Sequence, residues 1–241
     1  MNYRSLRSAR ETRNDDHAYE RAIGPIQLAA LPMSALAQLA TSLGRADEQP
    51  NIALAETIAA EKNIVAIREL VEVLNGKDKA LKSDALKALY EVGYRTPDLI
   101  APFIAQFKNL LANPDNRLVW GAMCAIDGIA TIKPDAVFMI LPQIMAAVDR
   151  GTVITRDHAV RTLAKLAAHE RFARTAMPLL MEQLRTAPVN QFPMYAELVA
   201  AITFPQDVNA MRRILEERLP ELPNAAKKKR VEKALRRLRA A

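Results

Sequence analysis

Cysteine occurs once in this chain, at Cys124, so no intrachain disulfide can form and a reducing, cytoplasmic setting is expected. Glycine occurs only seven times and aromatic residues make up 5% of the 241 positions. Long alternating β-branched runs are absent as well, and what remains is rich in Ala, Leu, Ile, Val and Met, which suit helices. Those scarcities exclude a sheet-based fold and point to an all-α chain. No apolar run approaches the roughly 18–20 residues that span a bilayer, so no membrane partner is expected. The first ten residues carry charges but no apolar stretch of signal-peptide length. Histidine is confined to His17, His158 and His169. No Cys or His stands at metal-ligand spacing, there is no glycine-rich phosphate loop, and no nucleophile elbow occurs. No metal, cofactor or catalytic residue is therefore expected.

What is there is a recurrence. Alanine returns at Ala85, Ala122, Ala159 and Ala196, each 37 residues after the last, and the position four further on reads Leu89, Ile126, Leu163 and Ala200. A fixed period of about 20–50 residues is the mark of a solenoid. Ahead of each of these helices runs another apolar stripe: Ile67, Ile104 and Leu141 at one position, then Leu70, Phe107, Ile144 and Met181 at the next turn. Val73, Leu110, Ala147 and Leu184 follow a turn later. Steps of three and four give each helix one apolar face. Breakers such as Asn75-Gly76-Lys77-Asp78 and Asn113-Pro114-Asp115-Asn116 separate the two helices of a unit. Second helices are predicted over about 79–93, 115–130, 153–168 and 190–203. Pro102, Pro142 and Pro178 should fall in the first turn of the first helices, where a missing N–H costs nothing.

The ends are less regular. Residues 1–21 read as a charged flexible tail, with Arg4, Arg7, Arg10 and Arg13 three apart and Asp15 and Asp16 nearby. Residues 22–61 read as an N-terminal helical cap. Within it, Leu36, Leu39, Ala40 and Leu43 predict a helix over 33–43 closed by Gly44, and a second helix should follow Pro50. Units are expected at about 62–97, 98–133, 134–170, 171–205 and 206–241, the last serving as a C-terminal cap. The net charge of +7 is carried entirely by residues 227–241, where eight Lys or Arg accompany one Glu.

The units resemble HEAT repeats, antiparallel helix pairs that stack into curved α-solenoids. The family's second helix opens on a Val-Arg-like pair, then Ala, then Ala-Leu, then a small residue. Here that reads Leu81-Lys82, Ala85, Ala88-Leu89, Gly93, and again Leu118-Val119, Ala122, Ala125-Ile126, Ala130. The third unit carries Arg156 at the family's arginine position, while Phe192-Pro193 replaces the pair in the fourth, whose start should be shortened. The resemblance covers about 62–205 and implies a right-handed α-α superhelix of about five helix pairs with an N-terminal cap. It implies a fold and no particular activity.

The resemblance also implies that second helices line a concave face. Setting aside the buried stripe leaves three columns there: Ser83, Trp120, Asp157, Met194; Lys87, Cys124, Arg161, Leu198; and Tyr90, Asp127, Ala164, Ala201. A protein or peptide partner is expected in this groove, with Lys87, Tyr90, Trp120, Asp127, Asp157 and Arg161 as contacts, because Trp and Arg dominate interface hot spots. Trp120 is either the anchor of that surface or a core residue between neighbouring second helices. Cys124 and His158 fall on adjacent second helices, but no third residue is evident to orient the imidazole. Lys227, Lys228, Lys229, Arg230, Lys233, Arg236 and Arg237 form the alternative surface, a polyanion contact for nucleic acid, or else a solvated cap docked through Val231, Ala234, Leu235 and Leu238. One HEAT-like branch consists of alkylpurine DNA glycosylases, which pair aromatics with a carboxylate. Trp120 and Asp127 share a face here, yet the inner columns are nearly neutral where that branch's cleft is rich in Lys and Arg, so a non-catalytic scaffold is the expectation.

Overall fold

A computed structural model describes residues 33–202 and 205–239. The charged segment 1–21 and the start of the N-terminal cap lie outside the described residues. Among the described residues the main helices are α1 (Gln49–Glu61), α2 (Ile64–Val73), α3 (Lys79–Arg95), α4 (Ile104–Leu110), α5 (Asn116–Ile129), α6 (Leu141–Arg150), α7 (Val153–Ala167), α8 (Glu170–Arg185), α9 (Phe192–Ala200), α10 (Pro205–Arg218) and α11 (Ala225–Arg239). Among the described residues there is no strand, and no helix is long and apolar enough to cross a membrane.

The chemistry of the breakers sets the helix starts. Asn63, Asp78 and Asp115 each accept a backbone N–H of the following first turn, from Ala66, Leu81 and Arg117 respectively, which satisfies donors that a helix start leaves without a partner. The second helices α1, α3, α5, α7, α9 and α11 pack successively on one another, and α2, α4, α6, α8 and α10 pack on the second helix of their own unit. The result is a two-layer α-solenoid. Ala85, Ala122, Ala159 and Ala196 are fully buried, as are Leu89, Ile126 and Leu163. The repeated alanine lets neighbouring helices approach closely, and the residue four further on fills the gap behind it.

Glycine takes that closeness to its limit between α3 and α5. A Cβ on Gly128 would stand 3.1 Å from the Gly93 carbonyl oxygen, and one on Gly121 would stand 2.7 Å from a Leu86 methyl. Two backbones in contact leave no room for a side chain.

The structure departs from the sequence expectation in three places. The helix expected over 33–43 is only a 3₁₀ turn at Ala35–Gln38. The amides that a helix would use are taken from outside. Glu69 accepts from Ala35, Asn51 from Ala40 and Asp84 from Thr41. Pro102 lies in a 3₁₀ turn, Ala101–Phe103, that follows the short helix Pro97–Ile100. Pro142, as expected, falls in the first turn of α6, which follows the short helix Pro134–Met139. Each therefore divides a first helix into segments. Pro178 is not in a first turn, because α8 begins at Glu170 and places it mid-helix. The fourth second helix, α9, is short and starts at Phe192 with Pro193 in its first turn, as its divergent pair leads one to expect.

Candidate functional site

Each inner second helix, α3, α5, α7 and α9, is covered behind by its own first helix and on both flanks by its neighbours. Its buried arc is therefore wider than one stripe. Of the three predicted columns, Tyr90, Cys124, Asp127 and Ala164 are buried, while Lys87, Trp120, Asp157, Met194 and Leu198 are half-buried. Arg161 and Ala201 are exposed. Trp120 satisfies part of each reading: it packs against the core and keeps one edge in solvent.

At the α3 end the face is aromatic. The Tyr90 ring lies 6.0 Å from Trp120 and 5.7 Å from Tyr94, centroid to centroid and tilted in both cases, within the range of favourable aromatic pairs. Burial pushes the Tyr90 phenol up to about 12. Lys87 sits over this ring at 4.8 Å and bridges Glu48 at 3.0 Å and Glu91 at 2.9 Å. Burial disfavours its charge, but the contacts to Tyr90, Glu91 and Glu48 prevail and hold its pKa above the usual lysine range. Lys87 is thus held within the fold.

Asp127 is the centre of the next group. It accepts from His158 Nδ1 at 2.9 Å and from Lys165 Nζ at 2.7 Å, and Lys165 also reaches its carbonyl oxygen at 2.6 Å. Burial pushes the His158 imidazole down, but the hydrogen bond to Asp127 and the adjacent Cys124 side chain outweigh it, raising the pKa to about 9. The imidazole therefore does have an orienting carboxylate, contrary to the sequence expectation. Asp127 and His158 come from helices that only the superhelical stacking brings together. The thiol beside them is 3% exposed, which shields it from any bulky electrophile. Both Asp127 oxygens are engaged, so it is not the free carboxylate that the glycosylase resemblance requires. Among the described residues, no group of three or more His, Cys, Asp or Glu is placed to hold a metal ion.

Asp157 accepts from Tyr195 Oη at 2.7 Å. Burial, reinforced by that carboxylate, pushes the Tyr195 phenol well above its ordinary range. Arg161 donates to the Met194 thioether at 3.4 Å, a weak acceptor. Beside it a cavity of about 320 Å³ opens between α7 and α9, lined by Asp127, Arg161, Ala164, Lys165, Leu198 and Ile202 among others.

On α11, Val231, Ala234, Leu235 and Leu238 are buried and dock the helix. Arg230 pairs with Glu197 at 2.8 and 2.6 Å, and Lys227 donates to Asn190. Lys229, Lys233, Arg236 and Arg237 are exposed and Lys228 is half-buried. The seven predicted cations thus divide between cap contacts and solvent.

Lys165, Tyr94, Glu48 and Glu91 are site residues that the sequence reasoning did not single out, and it considered His158 only beside Cys124. A signal for some of them existed. Glu56 and Arg95 are 39 residues apart, and Asp127–Lys165 and Asp157–Tyr195 are both 38 apart. A polar residue and its complement one repeat plus one or two positions later meet across adjacent second helices.

The sequence matches no protein-family model and no curated protein. Solved structures do resemble the fold. An engineered protein solved by a structural genomics consortium superposes with a TM-score of 0.58 at 20% identity, over 85% of this chain and 95% of that one. A designed armadillo repeat protein in complex with the peptide (KR)4 gives 0.58 at 18%, over 85% and 100%. A computationally designed armadillo repeat protein for modular peptide recognition gives 0.56 at 17%, over 84% and 98%. At these identities the likeness concerns architecture, and the architecture is an armadillo-like helical repeat.

Proposed function

We propose that this chain is a non-catalytic, cytoplasmic scaffold or adaptor of the HEAT type that holds a protein or peptide along the concave side of its second helices. The observation that carries this reading is that Trp120 on α5 and Met194 and Leu198 on α9 stay half-buried on the second-helix layer, on either side of Asp157 and Arg161 of α7. These half-buried apolar groups keep a solvent edge on a layer whose buried polar groups largely satisfy one another. A partner therefore meets an aromatic anchor and an aliphatic pair with polar groups between and around them, the composition of interface hot spots and their rim. The peptide bound by one designed neighbour supports the reading by analogy of fold. The finer HEAT assignment rests on the sequence pattern of the second helices, Arg156 included. The divided first helices at Pro102 and Pro142 lean toward the three-helix armadillo form, since the two repeats differ in helix number.

Trp120→Ala tests the proposal. Capture of partners by the immobilised chain from nuclease-treated lysate is expected to vanish while the far-UV CD spectrum is retained. A loss of about 2 kcal/mol in stability is expected, below the roughly 3–5 kcal/mol of a wholly buried aromatic. Undiminished capture by the variant would overturn the reading.

The exposed Lys229, Lys233, Arg236 and Arg237 favour a second reading, a nucleic-acid contact on α11. Binding of that kind falls linearly with log salt concentration, whereas a groove anchored on Trp120 responds weakly.

A further inference from the structure

We propose that the cavity between α7 and α9 is a subsite for an acidic peptide, holding a carboxylate at Arg161 and the adjoining aliphatic side chain against Ala164, Leu198 and Ile202. This rests on the scaffold reading and specifies its partner.

Three observations carry it. The first is charge. Asp127 is a single carboxylate facing two nitrogen groups, His158 and Lys165, and Arg161 adds a further cation whose recorded acceptor is only a thioether. Asp157, one turn before Arg161, keeps its negative charge on accepting from the neutral Tyr195 hydroxyl, so three cations, with His158 protonated, face two carboxylates and one positive charge is left over at Arg161. A guanidinium left with a weak acceptor and free to turn into solvent is suited to bidentate capture of a carboxylate.

The second is shape. The cavity of about 320 Å³ has an apolar floor in Ala164, Ala168, Leu198 and Ile202. That volume is at the lower end of the roughly 300–1,000 Å³ of small-ligand sites, enough for aliphatic side chains. A phosphodiester backbone has nothing apolar to place on that floor, which favours a peptide over nucleic acid.

The third is the exclusion of the opposite charge. Carboxylates elsewhere on the layer already hold cations of the chain itself: Glu48 and Glu91 bind Lys87, Glu56 and Glu91 bind Arg95, and Glu197 binds Arg230. A Lys- or Arg-rich peptide would have to displace them or compete with the Tyr195 hydroxyl for Asp157.

The test uses the full chain and two fluorescein-labelled peptides, one alternating Glu and Leu, the other alternating Lys and Leu, read by fluorescence anisotropy. The Glu-Leu peptide is expected to bind at least about tenfold more tightly, the equivalent of one charge-assisted hydrogen bond. Arg161→Ala should remove that preference and Arg161→Glu reverse it. Because Arg161 is exposed, both variants should melt like the wild type. Equal binding of the two peptides, or a preference that survives Arg161→Glu, overturns the subsite. Displacement of the Glu-Leu peptide by oligo(dT), equally strong in wild type and abolished in Arg161→Glu, also overturns it, in favour of a general polyanion site. If neither peptide binds, the subsite falls, while Trp120-dependent capture decides the scaffold reading separately.

Discussion

The middle of the second-helix layer and its C-terminal end solve one problem by different means. Between α3 and α5 the backbones touch at Gly93 and Gly128, and between α5 and α7 a buried carboxylate, with a side chain 6% exposed, holds two partners. Between α9 and α11 the recorded ion pair is Arg230–Glu197, whose side chains are 46% and 42% exposed. In both places a polar contact links successive helices, yet the surroundings differ. Exposed pairs contribute about 0–1 kcal/mol, whereas removing one partner of a buried pair costs about 3–5 kcal/mol. The middle of the array should therefore be stiff and intolerant of change, and the C-terminal end forgiving.

The sharpest way to break that contrast is Gly128→Leu. Its side chain has nowhere to go but into the Gly93 carbonyl, and a loss of about 3 kcal/mol, at the upper end of overpacking costs, is expected in urea unfolding. The same enlargement at exposed Ala201 should move stability by less than about 0.5 kcal/mol. Equal effects at the two sites would mean that α3 and α5 are not in backbone contact.

Asp127→Asn comes next, with an expected loss of about 3 kcal/mol at neutral pH. Water reaching Lys165 keeps it at the low end of the buried-pair range. The pH dependence gives the sign. His158 is raised from 6.5 to about 9 in the folded chain, so its contribution is fully present below pH 6.5 and is lost as pH rises through about 9. At most about 3 kcal/mol should disappear over that window. Thermal melts across pH 6 to 10 should show this fall in the wild type and a much flatter profile in Asp127→Asn. A wild-type profile just as flat would remove the imidazolium from the account.

Tyr195→Phe is intermediate, because α9 is where the two regimes meet. Tyr195 is fully buried and its hydroxyl serves the Asp157 carboxylate. About 1.5 kcal/mol is expected, the value of a hydrogen bond to a charged group, with Asp157 partly rescued by solvent. The smallest effect belongs to a double-mutant cycle on Arg230→Ala and Glu197→Ala. Its coupling energy should stay under about 1 kcal/mol and vanish in high salt. A coupling as large as that of Asp127 would erase the distinction between the two regions.

Much of the architecture was legible in the residues. Ala85, Ala122, Ala159 and Ala196 announce the stacking position because only a small side chain permits that approach, and the buried residue four positions on confirms the face. The α9 start at Phe192 was also readable, since Phe-Pro stands where the other units have helix formers. The N-terminal segment misled. Leu36, Leu39, Ala40 and Leu43 have helical spacing, but spacing does not reveal that Glu69, Asn51 and Asp84 will claim the amides. The site was half legible. Tyr90, Trp120, Arg161 and Asp157 do stand on one layer, but Tyr90 is buried and Lys87 is tied to Glu48 and Glu91. One helix considered alone cannot show that its flanks are covered by the helices of adjacent units.

The 37-residue recurrence was enough to dictate stacked helix units, because a period in apolar side chains repeats the same burial wherever the chain folds back on itself. Stacking then chose which polar groups meet. Asp127 acquires His158 and Lys165, Asp157 acquires Tyr195, and Arg161 is left with a thioether. Those pairings depend on the offset between neighbouring helices, set by close packing at Ala122, Ala159 and Ala196, and a local pattern along one helix does not encode that distance.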